Sequence, residues 1–373
     1  MKILCISALF DYPIQLANAL SDKETVMLAM FTMKKSLDEY SASIDEKMAL
    51  YLLVSSQARP WHHPANWPLY MDFFRQISKY SPDVIHIQPG YVTPYIPLLP
   101  FIKIKRYPLV TTFHDVKSHL GVETLPGNFI RYWIRKWSDE IIVHGEKLKE
   151  QMVKEFNVPA AKVHAIHIGE HEVAPFKKYE RPDIEEDGNL ILFFGRIHEY
   201  KGLEYLIKAE PLITEELPDA RIVIAGAGED FKKYETMMGD RREHFIVHNY
   251  RIPYQEGAEL LQRCSLVVLP YVEASQSGVV PTAYGFRKPV VVTDVGSVPE
   301  AVEEGKTGFI VPPRDPEALA RAVIRLLRDE KLRRQMGENA YRKLKEDFSW
   351  DTIAQRTIEV YNKAVAPRRR GHT

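Results

Sequence analysis

Short apolar runs alternate with longer amphipathic segments along most of the chain. Runs rich in Val, Ile and Leu predict β-strands at residues 3–7, 26–31, 50–54, 84–87, 109–113, 141–143, 190–194, 222–225, 245–247, 266–269 and 290–292. Segments with a helical repeat, such as 69–80 and 147–156, separate them. Nearly continuous apolar strands that alternate with helices are typical of parallel sheets covered on both faces. The pattern therefore predicts an α/β fold.

The alternation breaks between residues 170 and 189, which are charged, contain two prolines and lack an apolar repeat. Such a composition is typical of a linker. We therefore predict two Rossmann-like domains, residues 1–172 and 173–350, followed at 351–373 by a helix that returns to the N-terminal domain and by a basic tail. Ligands of open α/β sheets bind beyond the carboxyl ends of the strands, so we expect the parallel sheets to face a central cleft.

Charge and cysteine usage narrow the class of protein. The chain has 373 residues, with 50 Lys plus Arg and 50 Asp plus Glu, so nothing general in its charge favours a nucleic acid partner. Cys5 and Cys264 each lie in an apolar run, which indicates small core residues in a reducing compartment. The first apolar run is interpreted as a strand and not as a signal peptide, and no run is long enough to span a membrane. A cytoplasmic protein is expected.

Glycine placement separates two kinds of nucleotide site. The first glycine is Gly90, so the turn after the first strand cannot be a G-x-G-x-x-G phosphate loop, and a nicotinamide or flavin enzyme is disfavoured. A second-half strand instead ends at Gly195, directly before Arg196, and Lys201 follows shortly after. Two cations at the carboxyl end of a strand suit a diphosphate. The alternative is a solvated loop with ordinary surface charges.

The stretch "LPYVEASQSGVVPTAY" contains a second candidate binding site. Ser277 is predicted to cap a helix that begins with Gly278 and Val279, whose N–H groups would face an anion. Glu273 would repel that anion, so it is better placed to accept hydrogen bonds from sugar hydroxyls. The alternative is a carboxylate that caps a turn. Ser and Glu in "SVPEAV", residues 297–302, have the spacing of a capping box and are taken as structural.

One histidine is a candidate site residue, and a group of three others is considered and rejected as a metal site. His114 ends a strand of the first half and would face the cleft, although a structural histidine with satisfied hydrogen bonds is an alternative. His164, His167 and His171 are close in sequence, but the first two would point to opposite faces of an extended strand. No metal site is therefore expected.

Taken together, these motifs resemble those of the retaining GT-B glycosyltransferases of family 4. The resemblance rests on "GRIHEYKGLEYLI", "IAGAGED", the segment from "LPYVEASQSG" to "PPRDPEALA" and the closing "FSWDTIA". In the first half it rests on "SPDVIHIQ" and "VTTFHD". It implies an N-terminal acceptor domain, a C-terminal donor domain, and a hexosyltransferase that moves sugar from a nucleotide diphosphate sugar to a glycan, lipid-linked or small-molecule acceptor. It implies no metal and no other cofactor.

The resemblance also implies roles for individual residues. Arg196 and Lys201, beside Gly195, would bind the donor diphosphate and Glu273 the donor sugar. Ser277 and the N–H groups of Gly278 and Val279 would adjoin the phosphates, and His114 the transferred sugar. The chain departs from the family pattern at Thr282, where a second glutamate usually holds the ribose, and at Arg287, which often is Gly. A glycine pair after the first strand is also missing.

Two other functions fit the same fold, a nucleotide-sugar epimerase and a catalytically silent nucleotide-sugar-binding subunit. Residues 127–140 mix aromatic and basic side chains and would suit a peripheral contact with the inner membrane face. The sequence somewhat favours the alternative, a helix that packs Phe129, Trp133 and Trp137 into the core with its Arg and Lys side chains outward.

Overall fold

The computed structural model of the chain describes residues 1–8, 11–32, 44–54, 63–89, 97–117, 125–170 and 173–369. The strands are β1 Lys2–Ser7, β2 Thr25–Thr32, β3 Ala49–Val54, β4 Val84–Gln88, β5 Leu109–Phe113, β6 Glu140–Val143, β7 Val163–Ala165, β8 Leu190–Phe194, β9 Arg221–Ala225, β10 Phe245–His248, β11 Leu266–Leu269, β12 Val290–Thr293 and β13 Gly308–Val311. Every predicted strand is present, and β7 and β13 were not predicted.

Most of the α-helices lie between strands, as the alternating pattern predicts, and the last three follow β13. They are α1 Asp11–Ser21, α2 Trp67–Tyr80, α3 Leu98–Ile104, α4 Leu125–Trp137, α5 Glu146–Phe156, α6 Val173–Lys177, α7 Leu203–Glu216, α8 Lys232–Met238, α9 Tyr254–Arg263, α10 Val279–Gly285, α11 Pro316–Arg328, α12 Glu330–Lys343 and α13 Trp350–Arg369. Among the residues described, no helix is both long and apolar enough to cross a bilayer.

The chain forms two compact units. Unit 1 comprises Met1–His167 and Trp350–Thr373, and unit 2 comprises Ile168–Ser349. Unit 1 contains a seven-stranded sheet in the order β3-β2-β1-β4-β5-β6-β7, and unit 2 a six-stranded sheet in the order β10-β9-β8-β11-β12-β13. All strand pairs are parallel. The prediction of two parallel α/β sheets is therefore confirmed.

The central strands are buried along their whole length, which explains their lack of polar alternation. All five residues of β8 and all four of β11 are buried. In unit 2 one apolar cluster includes Leu192 and Val267, and another includes Ile191 and Val268. Because neighbouring residues of a strand point to opposite faces, the two clusters cover the two faces of the sheet.

Helix α13 completes the core of unit 1. It packs against α1 and against β4, β5 and β6. Its Tyr361 hydroxyl lies 2.7 Å from Nδ1 of His86 on β4, and His86 Nε2 lies 2.8 Å from Thr112 Oγ1 on β5. All three side chains are buried. A polar chain inside the core thus connects α13 to two strands, and burial lowers the pKa of His86 to about 3.

Both cysteines are buried and free, as the sequence predicts. Burial raises the pKa of Cys5 and of Cys264 to about 12, so neither thiol ionises readily. Asp315 caps helix α11, because its side chain accepts a hydrogen bond from the Ala318 N–H at 2.9 Å. Helix α13 extends to Arg369, and the residues after it lie outside the described part of the chain.

Candidate functional site

The turn after β8 carries the first predicted cation. Gly195 has φ +115°, a conformation that favours glycine, and Arg196 follows with an exposed side chain. The "IAGAGED" segment packs against this turn, since a Cβ on Gly226 would lie 1.8 Å from the Gly195 carbonyl oxygen. Because that contact leaves no room for a side chain at position 226, Gly226 has a structural explanation. Within the described residues, no carboxylate lies within 4 Å of the Arg196 guanidinium.

The second cation belongs to a short 3₁₀ helix, Glu199–Lys201, which is joined to the loop after β11. Two consecutive N–H groups, those of Val272 and Glu273, donate to the Tyr200 carbonyl at 2.9 and 3.3 Å. Gly202, at φ +67°, packs so closely that a Cβ would lie 1.9 Å from the Pro270 carbonyl oxygen. Because these backbone contacts hold the loops together, the carboxyl ends of β8 and β11 form one polar edge.

A chain of contacts leads from Lys201 to the start of α10. The Lys201 ammonium lies 3.6 Å from the centre of the buried Tyr271 ring, within cation–π range. The Tyr271 hydroxyl is 3.2 Å from Ser277 Oγ, and Ser277 Oγ accepts the Val279 N–H at 3.3 Å. Lys201 is half-buried and, in the described part of the chain, has no carboxylate within ion-pair distance. The Lys201 ammonium is thus held over the Tyr271 ring, and no described carboxylate neutralises its charge.

The prediction that Ser277 is the N-cap of α10 is wrong by one residue. The N-cap is Gly278, whose φ of −70° and ψ of −16° are already helical, and Ser277 precedes it. The Thr282 hydroxyl donates to the Gly278 carbonyl at 2.8 Å inside the same helix, and its side chain is buried. A threonine hydroxyl bonded to a carbonyl one turn earlier is an intrahelical contact.

Glu273 follows β11 with an exposed side chain. Its carboxylate makes no hydrogen bond or ion pair with any described residue, whereas a turn-capping carboxylate would accept a backbone N–H. Arg196, Lys201 and Glu273 therefore lie at one polar edge, and none of the three forms an ion pair with a residue that the structure describes.

Sequence reasoning missed two buried polar groups near this loop. The Ser297 N–H donates to the Ser275 carbonyl at 3.0 Å, which brings the turn after β12 against the loop. Ser297 Oγ and Gln276 Oε1 are both buried and find no hydrogen-bond partner among the described residues. The predicted capping box at Ser297 is wrong, because the chain forms a 3₁₀ helix with Val298 at its N-cap. The unusual burial of these two groups is visible only in three dimensions.

In unit 1, His114 follows β5 and is held by a second histidine. Its Nδ1 lies 3.0 Å from His144 Nε2, and His144 Nδ1 lies 3.0 Å from the Ile166 carbonyl oxygen. A carbonyl only accepts, so His144 Nδ1 carries a proton. With both rings neutral, His144 Nε2 accepts from His114 Nδ1, and His114 Nε2 keeps its lone pair. Tyr12 packs edge-on against both rings.

The sequence did not single out His144, although a signal was present. It follows β6 directly, as His114 follows β5, and parallel neighbours bring such residues to one sheet edge.

Of the grouped histidines, His164 pairs with Glu140 at 2.7 Å, and His171 lies outside the described residues. Among the residues searched, no three His, Cys, Asp or Glu side chains are grouped as metal ligands.

Comparison with known proteins identifies the family. Residues 176–343 match the family model described as Glycosyl transferases group 1, and residues 14–169 match the model described as Glycosyltransferase Family 4. An uncharacterized glycosyltransferase of Methanocaldococcus jannaschii is 32% identical over 61% of this chain and 61% of its own length. A glycogen synthase of Mycobacterium tuberculosis is 27% identical over 76% of this chain and 69% of its own. The chain thus spans less than two thirds of the archaeal relative.

Structural similarity identifies the fold. The crystal structure of Anabaena HepE in complex with UDP matches with a TM-score of 0.74 at 17% identity, covering 96% of this chain and 99% of that one. At such low identity the match shows the fold, which is the predicted GT-B architecture of two Rossmann-like domains. Since the two family models account for most of both units, the chain belongs to the group 1 glycosyltransferases.

Proposed function

We propose that this protein is a retaining glycosyltransferase that transfers a hexose from a nucleotide diphosphate sugar to a glycan, lipid-linked or small-molecule acceptor. The observation that carries the proposal is the charge at the polar edge of unit 2, where Arg196, Lys201 and Glu273 lie on loops joined by backbone hydrogen bonds and form no ion pair with a described residue. Charges that no described counter-charge neutralises are available to a charged ligand. Membership of the family makes a nucleotide diphosphate sugar the natural one, and UDP, which HepE binds, is its first candidate nucleotide.

Each charge has a separate task in the proposed reaction. Arg196 binds the diphosphate through its planar guanidinium, and Lys201 adds a positioned point charge. Together they stabilise the negative charge that develops on the departing nucleotide diphosphate. Backbone N–H groups at Gly278 and Val279 complete the phosphate contacts implied by the family, and the Val279 N–H would exchange its long 3.3 Å hydrogen bond to Ser277 Oγ for a phosphate oxygen. No metal or other cofactor enters the proposal.

Glu273 recognises the sugar in this proposal. A carboxylate accepts hydrogen bonds from sugar hydroxyls and repels phosphate, so it contributes to the donor sugar and not to the nucleotide. His114 supports the transferred sugar through its Nε2, whose lone pair the His144 hydrogen bond maintains. Thr282 occupies the place of the usual ribose ligand, and because its hydroxyl donates to the Gly278 carbonyl, it can serve the ribose only as a hydrogen-bond acceptor.

Glu273→Gln tests the proposal because it keeps the size of the side chain and removes its charge. UDP without sugar should bind about as well as to the natural protein, whereas sugar transfer should fall steeply, since the lost contacts stabilise the sugar as it gains positive charge. Calorimetry with UDP measures the first quantity. Release of UDP from a donor selected in a panel of UDP-, GDP- and ADP-hexoses measures the second.

Glu199→Gln is the matched control, because Glu199 is an exposed carboxylate on the neighbouring 3₁₀ helix and has no assigned role. Transfer near the natural rate in Glu273→Gln would contradict the assignment of Glu273. A purified protein that binds nucleotide sugars but consumes none would be a binding subunit. An isomerised nucleotide sugar as the sole product would identify an epimerase.

A further inference from the structure

Helix α4 presents aromatic side chains to solvent. Phe129 is 64% and Tyr132 is 49% exposed, and Trp133 is half-buried beside them. With Lys136 they are spaced three, four and seven residues from Phe129, so they form one side of the helix, the α4 stripe. Contiguous exposed aromatic surface of this kind marks an interaction site more often than a free surface.

The arginines of the same helix are turned the other way. Arg131 donates a hydrogen bond to the Asp115 carbonyl, and the Arg135 guanidinium lies 4.0 Å from the centre of the Phe156 ring. Burial lowers the pKa of Arg135 to about 10. The favoured sequence interpretation, with Phe129, Trp133 and Trp137 packed into the core and the Arg and Lys side chains outward, is therefore wrong for Phe129 and for both arginines. Trp137 does pack against the core, and Lys136 is exposed. Among the described side chains of the helix, Ile130 and Ile134 are buried.

The stripe is organised as a cluster with a cation at one end. The Lys136 ammonium lies 5.0 Å from the Trp133 ring centre and 5.8 Å from that of Tyr132. The Phe129 ring packs edge-on against Trp133 at 6.2 Å. Such rings combine a large apolar body with a polar tip, and a lysine can extend past them toward a charged layer.

The neighbouring helix end adds to this surface. Helix α3 packs against α4, and its last residue, Ile104, is 78% exposed and flanked by Lys103, Lys105 and Arg106. Lys103 lies 4.0 Å from Asp139, but that carboxylate also accepts the Leu109 N–H at 2.8 Å. Helix α4 itself contains no acidic residue. The surface is thus aromatic, apolar and cationic, which complements an anionic layer that covers a hydrocarbon phase.

We propose that the α4 stripe and Ile104 rest on the headgroup region of an anionic lipid bilayer. In this arrangement the aromatic rings lie at the level of the headgroups, and the lysines contact lipid phosphates. A protein partner would need acidic side chains beside an apolar pocket of matching shape. A bilayer supplies anionic headgroups and a hydrocarbon phase over any area. This inference goes beyond the proposed transfer reaction and does not depend on it.

The experiment is sedimentation of the full chain with vesicles of phosphatidylcholine alone or with a third of phosphatidylglycerol. The natural protein should sediment with the anionic vesicles. Phe129→Ser/Tyr132→Ser should lower the partition coefficient roughly tenfold or more because apolar area that enters the headgroup region is lost. Lys136→Glu should lower it by a similar factor because an attracted charge is replaced by a repelled one. These side chains are exposed, so the fold should survive, as circular dichroism would verify. The matched control Leu212→Ser/Met237→Ser alters exposed apolar residues of unit 2 and should bind normally.

Trp133 supplies a second measurement. Its fluorescence should shift to the blue on anionic vesicles, and Trp133→Phe should lose that shift while still sedimenting. Equal sedimentation of the natural protein and the stripe variants, or none with anionic vesicles, would overturn the proposal. So would a dimer in analytical ultracentrifugation that the stripe variants dissociate, because the surface would then serve self-association. Donor turnover in solution is independent of these outcomes, so a protein that turns over donor and ignores vesicles refutes only this inference.

Discussion

The buried His86 makes the stability of unit 1 dependent on pH in a direction that can be derived. In the folded chain its pKa is lowered from 6.5 to about 3 because burial disfavours the charged ring. An unfolded chain takes up a proton at this histidine below pH 6.5, whereas the native chain does not until about pH 3. The unfolded state therefore binds more protons in that window, and its population rises as the pH falls.

The magnitude follows from the width of the window. Each pH unit between the two pKa values changes the free energy of unfolding by about 1.4 kcal/mol per group. From pH 7 to pH 5 His86 alone should remove about 2 kcal/mol, and the stabilisation is fully present only above pH 6.5. That is a large share of the stability of a typical domain, which is about 5–15 kcal/mol.

Tryptophan fluorescence during urea unfolding can follow this unit selectively, because all five tryptophans of the chain lie in the sequence of unit 1. His86→Asn keeps a hydrogen-bonding amide but cannot titrate, so its unfolding free energy should lose the extra slope between pH 6.5 and 5. Tyr361→Phe is the matched control. It removes the hydrogen bonds of the Tyr361 hydroxyl with His86 and Cys5, lowers stability by about 1–3 kcal/mol at every pH because buried Nδ1 of His86 loses its partner, and keeps the slope. Equal pH slopes in the natural protein and His86→Asn would refute this reasoning.

Two further predictions concern unit 2. Arg196→Ala should weaken UDP binding by about 1.5–3 kcal/mol, the range for hydrogen bonds to charged groups, and an unchanged calorimetric affinity with an intact fold would contradict its role. Glu186 bridges the buried Lys288 and Arg333 at 2.6 and 3.0 Å, so Glu186→Gln leaves two buried cations without a full counter-charge. Because Glu186 is itself 30% exposed, we expect a loss of about 1–3 kcal/mol, below the range for fully buried pairs. Scanning calorimetry should show a lower transition temperature for unit 2, and an unchanged thermogram would contradict the stabilising role of Glu186.

The strands were predictable because burial on both faces leaves a strong apolar signal. β8 and β11 are continuous apolar runs, and the structure buries every residue of both. β7 has only three residues and contains His164, while β13 begins with Gly308, so neither has the length or composition that identifies a strand. Their positions at the edges of the two sheets explain the weaker pattern.

The residues of the candidate site that follow the strands were predictable from the sequence. The contacts between residues far apart in the sequence were not. Positions beyond β8 and β11 follow from the strand pattern, which is why Arg196 and Glu273 could be named from the sequence. The contact between Lys201 and Tyr271 joins residues seventy positions apart, and the bridge from Glu186 to Arg333 spans 147. Helix α4 shows a different limit, because helical spacing defines its two faces but does not say which face is buried.

The return of α13 to unit 1 has a consequence for the order of folding. Unit 2 is continuous in sequence, Ile168–Ser349, so all of its core residues are made before Tyr361. The first segment of unit 1 precedes unit 2 in the chain, but unit 1 lacks Tyr361, the partner of His86, until the whole of unit 2 has been synthesised. Domains tend to fold as they emerge. We therefore expect unit 2 to fold first. Unit 1 should complete its core only afterwards, and until then His86 and Tyr12 should remain exposed to solvent.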